Sequence, residues 1–276
     1  MDVANRQDSP RATHHAPRGT DSCRLTSYVD LHCHILPNVD DGPQSVDESL
    51  DMARFCVADG VTHIVATPHC HRYVHMLRAQ ILPAVEAFNR RLQAAQIALT
   101  ILPGSEIQVT NADEYRREFD AGDFCHLGDG SEFTLLEFNW KREMFPAGAA
   151  DLIRWIREKG MTPILAHPER HDFFWEDPTK LDRLVEAGAW VQVTVDSLLG
   201  NHGASPSIAA DEILRRHQNA VLATDAHNLA RCSGMKAGYD WVHEHLGDER
   251  RQDLQQRAEM VLSRLKTSRS HQPVGG

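Results

Sequence analysis

The chain has 276 residues, enough for one large α/β domain, since barrels of that class run to about 250. Its 41% apolar and 25% charged residues are the usual mixture of a chain with a packed core and exclude wholesale disorder. A formal net charge of −10 excludes a general electrostatic grip on DNA or RNA, and no run of about twenty apolar residues offers a membrane span.

Residues 1–24 are rich in Pro, Arg, Ser, Thr, Asp and His, lack periodicity and an apolar signal-like core, and read as a disordered leader. The first predicted strand, SYVDLH, ends on His32 and His34, whose spacing of two places both imidazoles on one side of an extended chain. The turn NVDDGP follows and can fold Asp41 back over the strand end. The spacing then predicts a helix over SVDESLDMARFCVADG, with Ser45 as N-cap, Glu48 completing a capping box and Gly60 as the stop. The second strand, THIVATPH, closes on Pro68 and His69; His71 and His75 fall in the loop beyond. A second helix over LRAQILPAVEAFNRRLQAAQ carries Pro83, where it is expected to begin or kink.

Strand three, LTILPGSE, delivers Glu106, and strand four, FTLLEF, buries Glu137 in an apolar run where an ionised carboxylate needs a cation or a proton. Strand five, TPILAH, ends on His167 with Arg170 three residues on. Strand six is WVQVTV, and strand seven, AVLATDAH, ends on Asp225 and His227 with the same two-residue spacing as the first. Strands alternating with helical patterns predict parallel β-α units: one domain over 25–266 followed by a flexible tail over 267–276. Imidazole and carboxylate are the donors for manganese, iron and zinc, and strand ends converge on the face where α/β barrels keep their active sites.

Six cysteines form no C-x-x-C pair, and none has Arg six positions later, so they read as free thiols of a reducing cytoplasm and not as the nucleophile of a thiol phosphatase. Cys33, between two candidate ligands, is expected to point away from them and pack.

The runs DLHCHILPNVDDGPQSVDESL, THIVATPH, GSEI, LLEF, ILAHPER and ATDAHN resemble the bacterial protein-tyrosine phosphatases of the polymerase and histidinol phosphatase (PHP) superfamily, associated with capsular and exopolysaccharide synthesis. The resemblance covers roughly residues 27 to 245. It implies a distorted seven-stranded (β/α)7 TIM-like barrel, the PHP fold, holding three divalent cations, with manganese expected and iron or zinc as alternatives. It places His32, His34, Glu106 and Asp225 on the first cation, Glu106, Glu137 and His167 on the second, and Asp41, His69 and His227 on the third. Arg170 corresponds to a substrate-phosphate arginine of the family, and so does Arg231, though its loop LARCSG fits the family spacing only after a one-residue shift. The implied reaction is hydrolysis of phosphotyrosine by in-line attack of a hydroxide shared between cations. The implied partner is a phosphotyrosine protein, the tail of a bacterial tyrosine kinase, in the cytoplasm, with no nucleic acid and no membrane insertion. Two other readings stand beside it: a PHP-type small-molecule phosphomonoesterase acting on a substrate such as histidinol phosphate, and an inactive scaffold that binds the kinase.

Overall fold

The computed structural model describes residues 27–70, 76–139 and 145–269. The predicted leader, and with it His71 and His75, lies outside them. Apolar runs form strands β1 (Tyr28–Cys33), β2 (Val61–Ala66), β3 (His69–Cys70), β4 (Thr100–Pro103), β5 (Glu106–Val109), β6 (Phe133–Phe138), β7 (Thr162–Ala166), β8 (Trp190–Thr194) and β9 (Ala220–Ala223). Between and after them run α1 (Val46–Ala58), α2 (Arg78–Ala94), α3 (Ala112–Ala121), α4 (Ala149–Glu158), α5 (Asp172–Glu176), α6 (Thr179–Glu186), α7 (Val195–Leu198), α8 (Ala204–Arg216), α9 (Met235–Leu246) and α10 (Asp248–Arg269). Every pairing between these strands is parallel, in sheets ordered β1-β2-β4 and β3-β5-β6-β7-β8-β9.

The seven expected strands thus become nine short ones among the described residues, because the second and third each break after the same number of ladder pairs. Pro68 has no N–H to give to a ladder, and the Thr67 N–H turns to Cys33 O instead (3.1 Å). Opposite this break, Gly104 packs so tightly that a Cβ there would lie 2.7 Å from Val65 Cγ1. At the far edge, β1 meets the chain just after β9. His34 N–H donates to Ala226 O and Asp225 N–H to His32 O, both at 2.9 Å.

The caps of α1 are close to expectation. Ser45 accepts the Glu48 N–H, but the Glu48 carboxylate accepts from the Gln44 N–H (2.7 Å) and not from Ser45, so the box is displaced by one residue. Pro83 neither starts nor interrupts α2, which begins at Arg78 and runs through it. The last helix continues to Arg269, past residue 266 where a flexible tail was expected. Its apolar side explains why it holds together: Ala258, Val261 and Leu265 pack on Val29, Phe133 and Val221, closing the end at which the strands begin. No described helix is long and apolar enough to cross a membrane.

Two layers of core result. An outer one lies between strands and helices and includes Cys33, which is fully buried as expected. An inner one is built from strand residues two apart, such as Phe133 and Leu135 of β6 and Ile164 and Ala166 of β7. The same alternation carried one step further brings Glu137 above Leu135, so the inner column changes from apolar to polar at the C-terminal ends of the strands.

Candidate metal centre

In β1 the alternation alone would fail, because Leu31 belongs to the inner apolar cluster and His32 is its immediate neighbour. A register irregularity between Asp30 and Cys33 turns the chain there and gives His32 and His34 the inward face above Leu31. Strand register supplies the next ligands. Pairing of β3 with β5 sets His69 beside Glu106, and pairing of β5 with β6 sets Gln108 beside Glu137. His167 and Asp225 follow β7 and β9 with φ of 32° and 50°, in the left-handed region that costs a non-glycine residue on the order of 1 kcal/mol or more and clusters at functional sites.

The side chains so placed form one polar group. His32 Nε2 and His34 Nε2 are 3.3 Å apart; Glu106 Oε2 lies 3.5 and 3.4 Å from them, and Asp225 Oδ1 3.3 and 3.5 Å. Both carboxylate oxygens thus lie within 3.5 Å of both imidazole nitrogens. Glu106 Oε1 is 2.8 Å from His167 Nε2, which in turn is 4.0 Å from Glu137 Oε1. Nearer solvent, Asp41 Oδ1 lies 3.4 Å from His69 Nε2 and 3.2 Å from His227 Nε2. All nine residues named from the sequence are thus gathered within one cluster of donors.

The outer nitrogens of three rings are already engaged. His32 Nδ1 faces Gln192 Oε1 at 2.9 Å, His34 Nδ1 faces Asp40 Oδ2 at 2.7 Å, and His227 Nδ1 faces Asp225 O at 2.8 Å. Each of these partners accepts a hydrogen bond, which selects the tautomer with the proton on Nδ1 and leaves the Nε2 lone pair directed into the cluster. Meanwhile Glu106 Oε2 and Asp225 Oδ1 are buried without an aligned hydrogen bond among the described residues.

Charge is correspondingly stressed. Burial would lower the His34 pKa, but the surrounding carboxylates of Asp225, Asp40 and Glu106 hold it well above the ordinary value. His69 is likewise pushed up to about 10, Asp41 and Glu106 outweighing its burial. Burial, then the charge of Glu106, raises Glu137 to about 8, whereas burial drops His167 to about 4. Buried carboxylates that can be balanced only by protonated imidazoles or by their own protonation make a site that favours added positive charge. The donor set fits divalent cations.

A cavity of about 250 Å³ opens over this floor, lined by Asp41, His69, Glu106, Glu137, His167, Asp225 and His227 with Arg170 and Arg231. Arg170 ends the short 3-10 turn Pro168–Arg170, and its Nη1 donates to Asp225 Oδ2. Arg231 ends a second 3-10 turn, Leu229–Arg231, which Asn228 caps, and no carboxylate of the described residues pairs with it.

Two contributors were not singled out from the sequence. Asp40 is the buried member of the Asp pair: besides His34 it accepts the His69 N–H (3.2 Å) and the Gly42 N–H (3.0 Å), while Asp41 stays exposed on the open side. Gln192, a lone amide inside the apolar run of β8, is the second, and that interruption was its sequence signal. Replacing Asp40 with alanine is expected to weaken divalent-cation binding about 10- to 100-fold, the usual cost of losing the partner that orients a ligating histidine. Titration calorimetry with manganese checks this; unchanged affinity would remove Asp40 from the site.

Residues 28–263 match the family described as Capsular polysaccharide synthesis, CpsB/CapC. The chain belongs to this family. It is 33% identical over 236 residues to the tyrosine-protein phosphatase YwqE of Bacillus subtilis, covering 85% of this chain and 91% of that protein. It is 28% identical over 240 residues to the tyrosine-protein phosphatase CpsB of Streptococcus pneumoniae, covering 82% and 94%. A solved structure from the work on YwqE and CpsB, described as metal-dependent tyrosine phosphatases, aligns with a TM-score of 0.81 at 32% identity, covering 86% of this chain and 94% of that one. A β-aspartyl dipeptidase of Fervidobacterium islandicum aligns with a TM-score of 0.52 at 12% identity, covering 85% and 74%, and shares the fold alone.

Proposed function

We propose that the chain is a metal-dependent protein-tyrosine phosphatase. The observation that carries this reading is the cavity: a floor of inward-facing imidazole and carboxylate donors with two guanidinium groups at its rim. The identity to YwqE and CpsB, both named tyrosine-protein phosphatases, directs the choice among phosphate esters. The same reading takes the two sheets as one distorted (β/α)7 barrel, supported by the contacts that join the end of β1 to the chain after β9.

In this reading His32, His34, Glu106 and Asp225 hold one cation. Glu106, Glu137 and His167 hold a second, and Asp41, His69 and His227 a third, with manganese the proposed ion. When bound, such cations offset the charge of a phosphate ester and make a hydroxide nucleophile available near neutral pH. The chain supplies the rest. Asp40, Gln192 and the Asp225 carbonyl keep three imidazoles in the tautomer that offers Nε2. Arg170 and Arg231 hold non-bridging phosphoryl oxygens, Arg170 through its planar fork, and fix the ester for in-line displacement. Phenolate is a good leaving group, so His69 and His227 can serve as ligands without also having to donate a proton to it.

The proposed substrate is phosphotyrosine on a protein, specifically the tail of a bacterial tyrosine kinase in polysaccharide synthesis, with the cytoplasm as the compartment. The family description supports the pathway. Chelator-stripped protein is expected to release phosphate from a phosphotyrosine peptide only after manganese is added, and to leave histidinol phosphate largely untouched. Preference for histidinol phosphate would move the chain to small-molecule phosphomonoesterases. No turnover of either compound with manganese, iron or zinc would leave the kinase-binding scaffold.

A further inference from the structure

The two rim arginines sit on separate loops, one after β7 and one after β9, yet a clamp for one phosphoryl group requires their separation to be fixed. The structure provides a link between those loops. Helix α7 continues directly from β8, and its adjacent residues Asp196 and Ser197, both buried, reach in different directions because successive side chains on a helix diverge by about 100°.

Ser197 Oγ donates to Glu169 Oε1 at 2.8 Å, and the same oxygen accepts the Thr194 N–H at 2.9 Å. Glu169 is the residue before Arg170 and is fully buried, so these bonds tie the turn that carries Arg170 to the β8–α7 junction. On the other side, Asp196 Oδ1 accepts from Ser233 Oγ and, at 3.0 Å, from Asn201 Nδ2, which also reaches Ser233 Oγ at 2.9 Å. Ser233 lies two residues past Arg231, so this triangle ties the second arginine loop to the same helix. The helix itself is firmly seated: at Gly238 of α9 a Cβ would lie 2.6 Å from Val195 Cγ2. His202 Nδ1 lies 3.1 Å from Ser197 Oγ, and its pKa is lowered by burial and then by the charge of Arg170.

We infer that α7 is a strut between the two arginine loops, with Asp196 a positioning residue for Arg231 and Ser197, through Glu169, a positioning residue for Arg170. The inference rests on the phosphatase reading above. None of these three groups needs to touch the substrate. Their effect is on where the guanidiniums stand, and displacements of about 1 Å are enough to cost up to about 100-fold in rate.

The test uses the metal-loaded full chain, a phosphotyrosine peptide for kcat and KM, and inorganic phosphate as a competitive inhibitor. Asp196→Ala and Ser233→Ala are each expected to lower kcat/KM about tenfold or more and to weaken phosphate inhibition in parallel, with bound metal unchanged. Asp196→Asn should stay close to wild type, because its amide oxygen still accepts from Ser233 and Asn201. In an Arg231→Ala background the further loss from Asp196→Ala should vanish, since a positioning residue has nothing left to position. Full additivity of the two losses overturns the inference, as does wild-type behaviour of Ser233→Ala, which carries the test even where Asp196→Ala does not fold. A wild-type chain inert to the peptide, or an Arg231→Ala variant as active as wild type, brings down the phosphatase or the clamp reading and this inference with it; either pattern is visible before any α7 variant is made.

Discussion

Glu106→Ala is expected to lower kcat/KM on a phosphotyrosine peptide by about 1,000-fold or more and to leave the purified protein short of metal. Both oxygens of this carboxylate are committed to the centre. Oε1 is 2.8 Å from His167 Nε2, and Oε2 is 3.0 Å from His69 Nδ1 while also facing His34 and His32. Glu106 therefore belongs to two of the donor groups, and its removal opens a coordination position in each. Burial would raise its pKa, but His32, His167 and His34 hold it well below the usual carboxylate range, so it presents a charged oxygen to either side. Elemental analysis alongside steady-state kinetics decides the matter. Wild-type turnover with a full metal complement would sink the proposed centre, whereas lost turnover with full metal would confine Glu106 to the chemistry and deny it a role in metal retention.

The nine donors were legible because each follows from local rules. Two-residue spacing fixes His32 with His34 and Asp225 with His227 on common faces, and a glutamate inside LLEF announces an unusual neutralising partner. What local rules could not supply was anything decided by a neighbouring strand. Asp40 and Asp41 are equivalent in a turn sequence, and only the approach of β3 from the side makes one a buried acceptor for His34 and His69 N–H and leaves the other exposed, its carboxylate lining the cavity. The breaks at Pro68 and Gly104 were invisible for a related reason. The inward-outward alternation continues across them, so the pattern reads as one strand even where the ladder changes partner. The irregularity in β1 is the converse: Leu31 and His32 share the inward side only because the pairing with β2 shifts, and sequence periodicity would have separated them. The contacts of Asp196 and Ser197 belong to the same class, joining residues about 30 positions apart through a helix whose sequence, VDSL, carries no signal of its own.

Arg170 is the residue at which two physical roles compete, and its substitution separates them. In the structure its Nη1 bonds Asp225 Oδ2, a carboxylate that also faces His32 and His34, so a purely structural ion pair is one account of it. The other is a phosphate clamp, for which its place on the wall of the cavity is suited. Arg170→Ala is expected to lower kcat/KM by about 100- to 1,000-fold, the scale of removing one preorganised donor to a developing anion, while metal content stays at the wild-type level. Arg170→Lys is the informative companion. An ammonium restores a positive charge near Asp225 but has no planar pair of N–H groups for two phosphoryl oxygens. Under the clamp account the lysine variant falls nearly as far as the alanine variant, and inorganic phosphate inhibits both more weakly than wild type. Under the ion-pair account lysine recovers most of the activity, and the alanine variant instead loses thermal stability and metal, because Asp225 is left without its cationic neighbour. Measured together, kinetics, phosphate inhibition and metal content therefore assign the guanidinium either to the substrate or to Asp225, and the cavity geometry leads us to expect the substrate.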